Sequence, residues 1–246
     1  MTPTELAAVI KRANDVVVFT GAGMSTESGL PDFRSNKNSL WQKFNPDELA
    51  NVEALLNNEE EFTAFYRHRL ADITKHEPHR GHDILAQWEA SGLIRGIITQ
   101  NVDGFHHDAG SQCVQELHGT FRTFHCHICE KEQTREAYLA GETTCSCGGT
   151  FRPGIVLFGE MLPEQPFEKA DELTKAADVF IVLGSSLSVT PANMFPLMAK
   201  EHGATLIIIN WEPTDLDRHA NAVIHETPIQ KLLIETDEAL KQITLD

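Results

Sequence analysis

Three clusters of residues in this chain have the types and spacing to do chemistry. Thr99-Gln100-Asn101-Val102-Asp103-Gly104 gathers amides and a carboxylate, and Glu116-Leu117-His118-Gly119-Thr120 adds an imidazole shortly after. Upstream, Gly21-Ala22-Gly23-Met24-Ser25 stands directly behind the apolar run Val16-Val17-Val18-Phe19. A glycine turn at the end of a strand suits a nucleotide pyrophosphate, because unhindered backbone N–H groups can approach it. Side chains of the Gln100, Asn101 and Asp103 type can hydrogen-bond a carboxamide or ribose hydroxyls. A histidine with an ordinary pKa of about 6.5 suits a general base at neutral pH, and Gly119 permits close approach to His118. Together they point to chemistry on a nucleotide cofactor. The third glycine of the usual dinucleotide fingerprint is absent, Ser25-Thr26 filling its place, so Gly21 and Gly23 alone also fit a structural turn. Among 12 histidines, His106 and His107 read as solvated or core residues.

The following loop, Glu27-Ser28-Gly29-Leu30-Pro31-Asp32-Phe33-Arg34, offers Phe33 to screen a reactive centre from water and Arg34 to grip a phosphate. Phe33 fits a core anchor equally well. Later runs end in Gly184-Ser185-Ser186 and in Asn210, small hydroxyls and an amide suited to phosphate and ribose. Cys126-x2-Cys129-x15-Cys145-x-Cys147 is the strongest spacing signal. Four thiolates in two close pairs are what closed, structural, tetrahedral zinc needs, with redox-active or inert thiols as the alternatives. The Cys-x-Cys pair is tighter than the commoner Cys-x2-Cys. His125 and His127 are spare ligands, and Cys113 reads as a small buried side chain.

These residues need strand ends to hold them. Besides the run before Gly21, strand signals fall at 94–99, 179–183, 205–209 and 222–224, the middle ones continuously apolar as for strands covered on both faces. Helical segments alternate with them: a Thr-capped helix over 4–10, then 82–91 and 166–177. The alternation predicts an α/β, doubly wound parallel sheet with ligands at the carboxyl ends of its strands. Residues 35–79, polar and helical through 59–73, and the Cys- and Gly-rich 121–153 break the rhythm. They are expected to form a smaller helical and zinc-binding domain, leaving 1–34, 80–120 and 154–246 as a discontinuous Rossmann-like domain.

A net charge of −16 over 246 residues argues against nucleic acid and is compatible with cationic, lysine-bearing partners or simply with solubility. No apolar run approaches the ~20 residues of a membrane span. Without a signal core, and with five cysteines mostly in one segment, a reducing cytoplasm is expected.

Gly-Ala-Gly-Met-Ser, Gly-Leu-Pro-Asp-Phe-Arg, Thr-Gln-Asn-Val-Asp-Gly, Leu-His-Gly-Thr, the paired cysteines, Phe158-Gly159-Glu160 and Gly184-Ser185-Ser186-Leu187 occur in an order that closely resembles the sirtuins. These are NAD-dependent protein lysine deacylases. The resemblance implies that Ala22, Thr26, Phe33 and Arg34 line the NAD site, and that Gln100, Asn101, Val102 and Asp103 hold nicotinamide and its ribose. Ser185, Ser186 and Asn210 would meet phosphate and adenosine. Val156, Leu157, Phe158 and Gly159 would pair as a strand with an acyl-lysine peptide. Nicotinamide would leave as the acyl oxygen attacks the ribose; His118 would then deprotonate a ribose hydroxyl, giving free lysine and O-acyl-ADP-ribose. Gly154, Ser188, Thr190 and Glu226-Thr227-Pro228 depart from the family pattern without removing a catalytic group.

Phe65-Tyr66-Arg67-His68-Arg69 contains Tyr-x2-Arg, and Ala50 precedes it. In sirtuins that prefer succinyl- or malonyl-lysine, a matching Tyr and Arg bind the acyl carboxylate and a small residue leaves it space. Tyr66, Arg69 and Ala50 imply that preference, against an Arg that merely faces solvent. Mono-ADP-ribosyl transfer, plain NAD hydrolysis and a non-enzymatic NAD-sensing module are the competing functions.

Overall fold

In the computed structural model, residues 1–31 and 46–243 are described. α1 (Pro3–Arg12) starts at Thr2, whose hydroxyl oxygen accepts from the Glu5 amide at 3.2 Å while Glu5 Oε2 accepts from the Thr2 amide at 2.7 Å. β1 (Val16–Thr20) leads into a 3-10 segment, Ala22–Ser28. Then come α2 (Pro46–Leu49), α3 (Val52–Asn57), α4 (Glu59–Ile73), α5 (Arg80–Ala90), β2 (Gly96–Thr99), α6 (Phe105–Asp108) and β3 (Val114–Glu116). β4 (Gly119–Cys126), β5 (Glu132–Gln133), α7 (Arg135–Ala140) and β6 (Phe151–Ile155) follow. α8 (Glu164–Ala176), β7 (Val179–Leu183), α9 (Phe195–Glu201), β8 (Thr205–Ile209), β9 (Ala222–Ile224) and α10 (Ile229–Gln242) complete the order.

Six strands make one parallel sheet in the order β3-β2-β1-β7-β8-β9. The pleat sends alternate side chains to opposite faces. Val16 and Val18 join Leu6, Ile10, Ile84, Trp88 and Leu232 in the layer under α1, α5 and α10. Val17 and Phe19 join Ala170, Phe195 and Ala199 under α8 and α9. Both faces are covered, which is why these strands read as unbroken apolar runs. The order of strands reverses between β1 and β7, the place where sheets of this kind form a ligand crevice beyond the strand ends.

A second, antiparallel sheet, β5-β4-β6, is built from the Cys-rich stretch. Its core is a separate cluster in which Leu55, Phe62, Phe65 and Tyr66 meet Phe121, Phe124, Tyr138, Phe151 and Leu157. The polar helices and the Cys-rich stretch therefore bury one another. Among the described residues, no helix is long and apolar enough to cross a membrane.

Candidate active site

The loops after β1 and β7 touch at the reversal. The Gly21 amide donates to Leu183 O at 3.0 Å and the Gly23 amide to Gly184 O at 2.8 Å. A Cβ on Gly21 would stand 2.8 Å from Gly184 O, and one on Gly23 2.7 Å from Gly184 Cα. Gly184 itself has φ of +63°, and a Cβ there would meet Gly23 C at 2.4 Å. The bare backbones are needed so that two strand-end loops can meet. Ala22 is half-buried beside them, and exposed Thr26 donates its hydroxyl to Gly23 O at 3.0 Å.

Buried side chains lace this floor together. Asn101 Nδ2 donates to Gly21 O at 3.0 Å and lies 3.2 Å from Ser25 Oγ, which itself donates to Asp103 Oδ2 at 2.7 Å. Asp103 Oδ1 accepts from the Phe105 amide at 3.0 Å. Burial raises the Asp103 pKa above the usual carboxylate range, with the Phe105 amide and Ser25 hydroxyl opposing it. Gln100 Nε2 donates to Ser185 Oγ at 2.7 Å, and the same oxygen accepts from the Leu187 amide at 3.2 Å. Ser185 is thus a buried tie between the β2 and β7 loops, whereas Ser186 is exposed, 3.0 Å from Ser188 Oγ. Asn210 stands past β8 with Nδ2 donating to Glu212 O at 2.7 Å. Val102 reaches the small lobe, its carbonyl accepting from the Phe121 amide at 2.9 Å.

His118 follows β3 and Leu117; β3 is too short and polar to show a strand period in the sequence. Its Nδ1 lies 3.1 Å from Gln100 O. A carbonyl only accepts, so Nδ1 carries the proton and Nε2 keeps its lone pair. Burial lowers the His118 pKa, with the contact to Gln100 O opposing it, so the imidazole is neutral at pH 7. Phe33 and Arg34 lie outside the described residues.

A buried network that sequence reasoning missed lies behind the floor. Thr20 Oγ1 donates to Thr99 Oγ1 at 2.7 Å and sits 2.9 Å from His106 Nε2, while the Asn101 amide donates to Thr99 Oγ1 at 3.0 Å. His79 contacts Met24 O through Nε2 at 2.7 Å, and its ring stacks near His82, which reaches His106. His106 is a core histidine, as expected. Only the run of histidines at 79, 82 and 106 hinted at the network, and nothing in their spacing showed that they meet.

Residues 156–159 are not a regular strand. The Val156 amide donates to His118 O at 2.9 Å, the Leu157 amide to Glu160 Oε2 at 2.7 Å, and the Phe158 amide to Ala50 O at 2.8 Å. Phe158 O accepts from the Val52 amide at 3.3 Å, so one edge of this stretch is already paired with residues 50–52. Gly159, at φ +96°, turns the chain.

Ala50 is half-buried at that edge, and Tyr66 lies deep in the small lobe at 1% exposure. Arg69 is not turned out to solvent. Its guanidinium carbon lies 5.7, 5.8 and 5.3 Å from the ring centres of Phe65, Tyr66 and Phe121. Burial pushes the Tyr66 hydroxyl up to about 12, with the Arg69 charge opposing.

The four cysteines converge. All four Sγ atoms lie within 4.8 Å of one another, with Cys126–Cys147 at 3.4 Å and Cys129–Cys145 at 3.7 Å. Four sulfurs around zinc at about 2.3 Å stand roughly 3.8 Å apart, so the set fits that ion. Gly149 leaves room, since a Cβ there would come 2.7 Å from Cys126 Sγ. The tight Cys-x-Cys turn is met by Gly148 at φ +88°. His127 Nδ1 accepts from the Thr150 amide at 2.9 Å and His125 faces Glu130, so neither joins the set. Cys113 is half-buried, near Gln115.

Comparison with known proteins gives the same picture. The Sir2 family model matches residues 21–191. NAD-dependent protein deacetylase 1 of Geobacillus kaustophilus is 54% identical over 92% of this chain and 94% of its own length. The NAD-dependent protein deacetylase of Oceanobacillus iheyensis is 50% identical over 91% and 95%. A solved structure of Sir2 with a p53 peptide and NAD+ superposes with a TM-score of 0.86 at 33% identity, covering 97% of this chain and 98% of that one. Sir2Tm bound to a propionylated peptide gives 0.87 at 34% identity, covering 97% and 98%. With motifs, sheet order, thiol cluster and relatives in agreement, the chain belongs to the Sir2 family.

Proposed function

We propose that this chain removes acyl groups from protein lysines with NAD as cosubstrate, giving nicotinamide, free lysine and O-acyl-ADP-ribose. The observation that carries the reading is His118: its proton is held at Nδ1 by Gln100 O, its pKa is lowered by burial, and its Nε2 lone pair is free to take a proton. The deacetylase names of its relatives support it.

The strand-end loops suit NAD. Ser28 Oγ, on the segment after β1, is buried with no hydrogen-bond partner among the described residues, a polar group left for a ligand to satisfy. Asn101 and Asp103 are held rigid by Ser25, which orients amide and carboxyl groups before a ligand arrives. Bound NAD supplies an electrophilic ribose carbon when nicotinamide departs. Around it Gln100, Asn101, Val102 and Asp103 would hold nicotinamide and ribose, Ser186 and Asn210 would serve the phosphate and adenosine side, and Ala22 and Thr26 would line the wall; Phe33 and Arg34, outside the described residues, are assigned to the cofactor by the family resemblance alone. His118 Nε2 takes the ribose hydroxyl proton. Residues 156–159 receive the peptide; since the amides of Val156, Leu157 and Phe158 are engaged, Val156 O and the amide and carbonyl of Gly159 are the backbone groups left for it among the described residues. Cys126, Cys129, Cys145 and Cys147 hold structural zinc, a thiol set suited to a reducing compartment such as the cytoplasm.

Within that activity, Tyr66 and Arg69 favour an acidic acyl group. An arginine fork beside a tyrosine hydroxyl, set among aromatic rings, is a receptor for the carboxylate of succinyl- or malonyl-lysine. Its position over Phe121 is the observation in favour. Incubation with NAD and acyl-lysine peptides, products resolved by mass, tests the whole reading. O-acyl-ADP-ribose that disappears in His118→Ala supports it. Nicotinamide formed equally without peptide, or ADP-ribose transferred to protein, replaces it with hydrolase or transferase activity.

A further inference from the structure

We infer that the ion pair of Arg152 with Glu160 is the positioning element for the peptide-receiving turn at residues 157–160. The inference rests on the proposal that residues 156–159 receive the peptide. Glu160 closes the turn on itself: its amide donates to Leu157 O at 3.0 Å, and its Oε2 accepts from the Leu157 amide at 2.7 Å. Arg152, on β6, grips the same carboxylate with both terminal nitrogens, Nη1 to Oε1 and Nη2 to Oε2 at 2.9 Å. Nη2 also donates to Ile155 O at 2.5 Å. One guanidinium therefore fixes the strand end before the turn and the last residue of the turn. It is 6% exposed, where a bidentate pair is strong and directional.

Packing anchors one residue of the turn, Leu157, which is 1% exposed in the core of the small lobe. A 290 Å³ cavity lies against Ile155, Val156, Arg152 and Glu160, with Glu116 and His125 on its far walls. On the outer side Phe158 is 61% exposed and Met161 92%. Beyond Leu157 the turn runs between a cavity and open solvent and is held by hydrogen bonds: those to Arg152 and Glu160, and the two between Phe158 and residues 50–52. Among the described residues, Arg152 and Glu160 make no hydrogen bond or ion pair to His118 or to the floor residues Gln100, Asn101 and Asp103, so their effect is expected to reach the reaction through peptide placement.

The test is steady-state kinetics of Glu160→Ala and Glu160→Gln with peptide and NAD varied separately, beside amide exchange of residues 155–160 in the unaltered protein with and without acyl-lysine peptide. Glu160→Ala should raise the peptide KM about tenfold while the NAD KM stays within about twofold. Glu160→Gln keeps an oxygen for the Leu157 amide but loses the charge, and should raise the peptide KM about threefold. If Glu160→Ala does not fold, Glu160→Gln alone decides by the same criterion. An unchanged peptide KM, or an NAD KM that rises in step with it, overturns the positioning role. If the peptide gives residues 155–160 no protection in the unaltered protein, the peptide-receiving assignment itself has failed. Protection together with unchanged KM values sinks the ion-pair inference alone.

Discussion

The two sheets carry their functional residues in opposite ways. At the ends of the parallel sheet, Asn101, Asp103, Gln100 and Ser185 are already bonded to one another and to neighbouring loops. That floor is preorganised by the protein. In the antiparallel lobe, the four thiols sit at the end of β4 and on turns around strands as short as β5, and a single cluster supplies the core. Zinc bound to those thiols would hold its turns. On the proposed function, the large sheet contributes fixed geometry, while the small lobe contributes a substrate wall whose order is expected to depend on metal.

The largest effect expected follows from that dependence. Stripping zinc with a chelator should abolish deacylation and release the amides of residues 120–155 to exchange, while β1, β7 and β8 stay protected. Activity that survives with zinc gone would erase the contrast. Next comes His118→Ala, which should lower kcat about 10²- to 10⁴-fold with zinc content and the NAD KM little changed. A drop of less than tenfold would move the base elsewhere.

The third prediction concerns the histidines behind the floor. Burial pushes His82 down to about 2 and His106 to about 3, so both are neutral in the folded protein. Above pH 6.5 they are neutral in the unfolded chain too, and contribute no pH dependence. Below it, the unfolded chain binds two protons that the folded one refuses, so stability falls by about 1.4 kcal/mol per pH unit for each histidine. Urea titrations at pH 7 and 5.5 should show this loss, and His106→Asn should reduce it. Equal stability at both pH values would mean that the cluster takes up protons without unfolding. The smallest effect is confined to the lobe. Arg69→Met should shift the ratio of desuccinylation to deacetylation kcat/KM by at least about tenfold, against succinyl. Equal losses on both substrates would make Arg69 a packing residue.

The same contrast governs what could be read from the residues alone. Strands β1, β7 and β8 announce themselves because both faces are buried, so every position but Thr20 and Thr205 at two strand ends is apolar. β2 begins at Gly96, short of the expected 94, because Ile94 and Arg95 bond to Trp88 O and Val16 O outside the ladder. β3 escaped notice because three residues, two of them Gln115 and Glu116, show no period. The small sheet was equally hidden: β4 carries Arg122, Thr123 and a register shift between Thr120 and Phe124. Thiol convergence was legible from spacing, since chelation imposes it. The partners of Ser25, Thr20 and His106 were not, because contacts between residues about 80 apart leave no local signature.

The most direct test of the account presents the purified protein and NAD with matched acetyl- and succinyl-lysine peptides, and resolves the products by mass. The account predicts nicotinamide release that requires an acyl peptide, O-acyl-ADP-ribose in equal amount, and the succinyl peptide as the better substrate. Nicotinamide released at the same rate without peptide would contradict it.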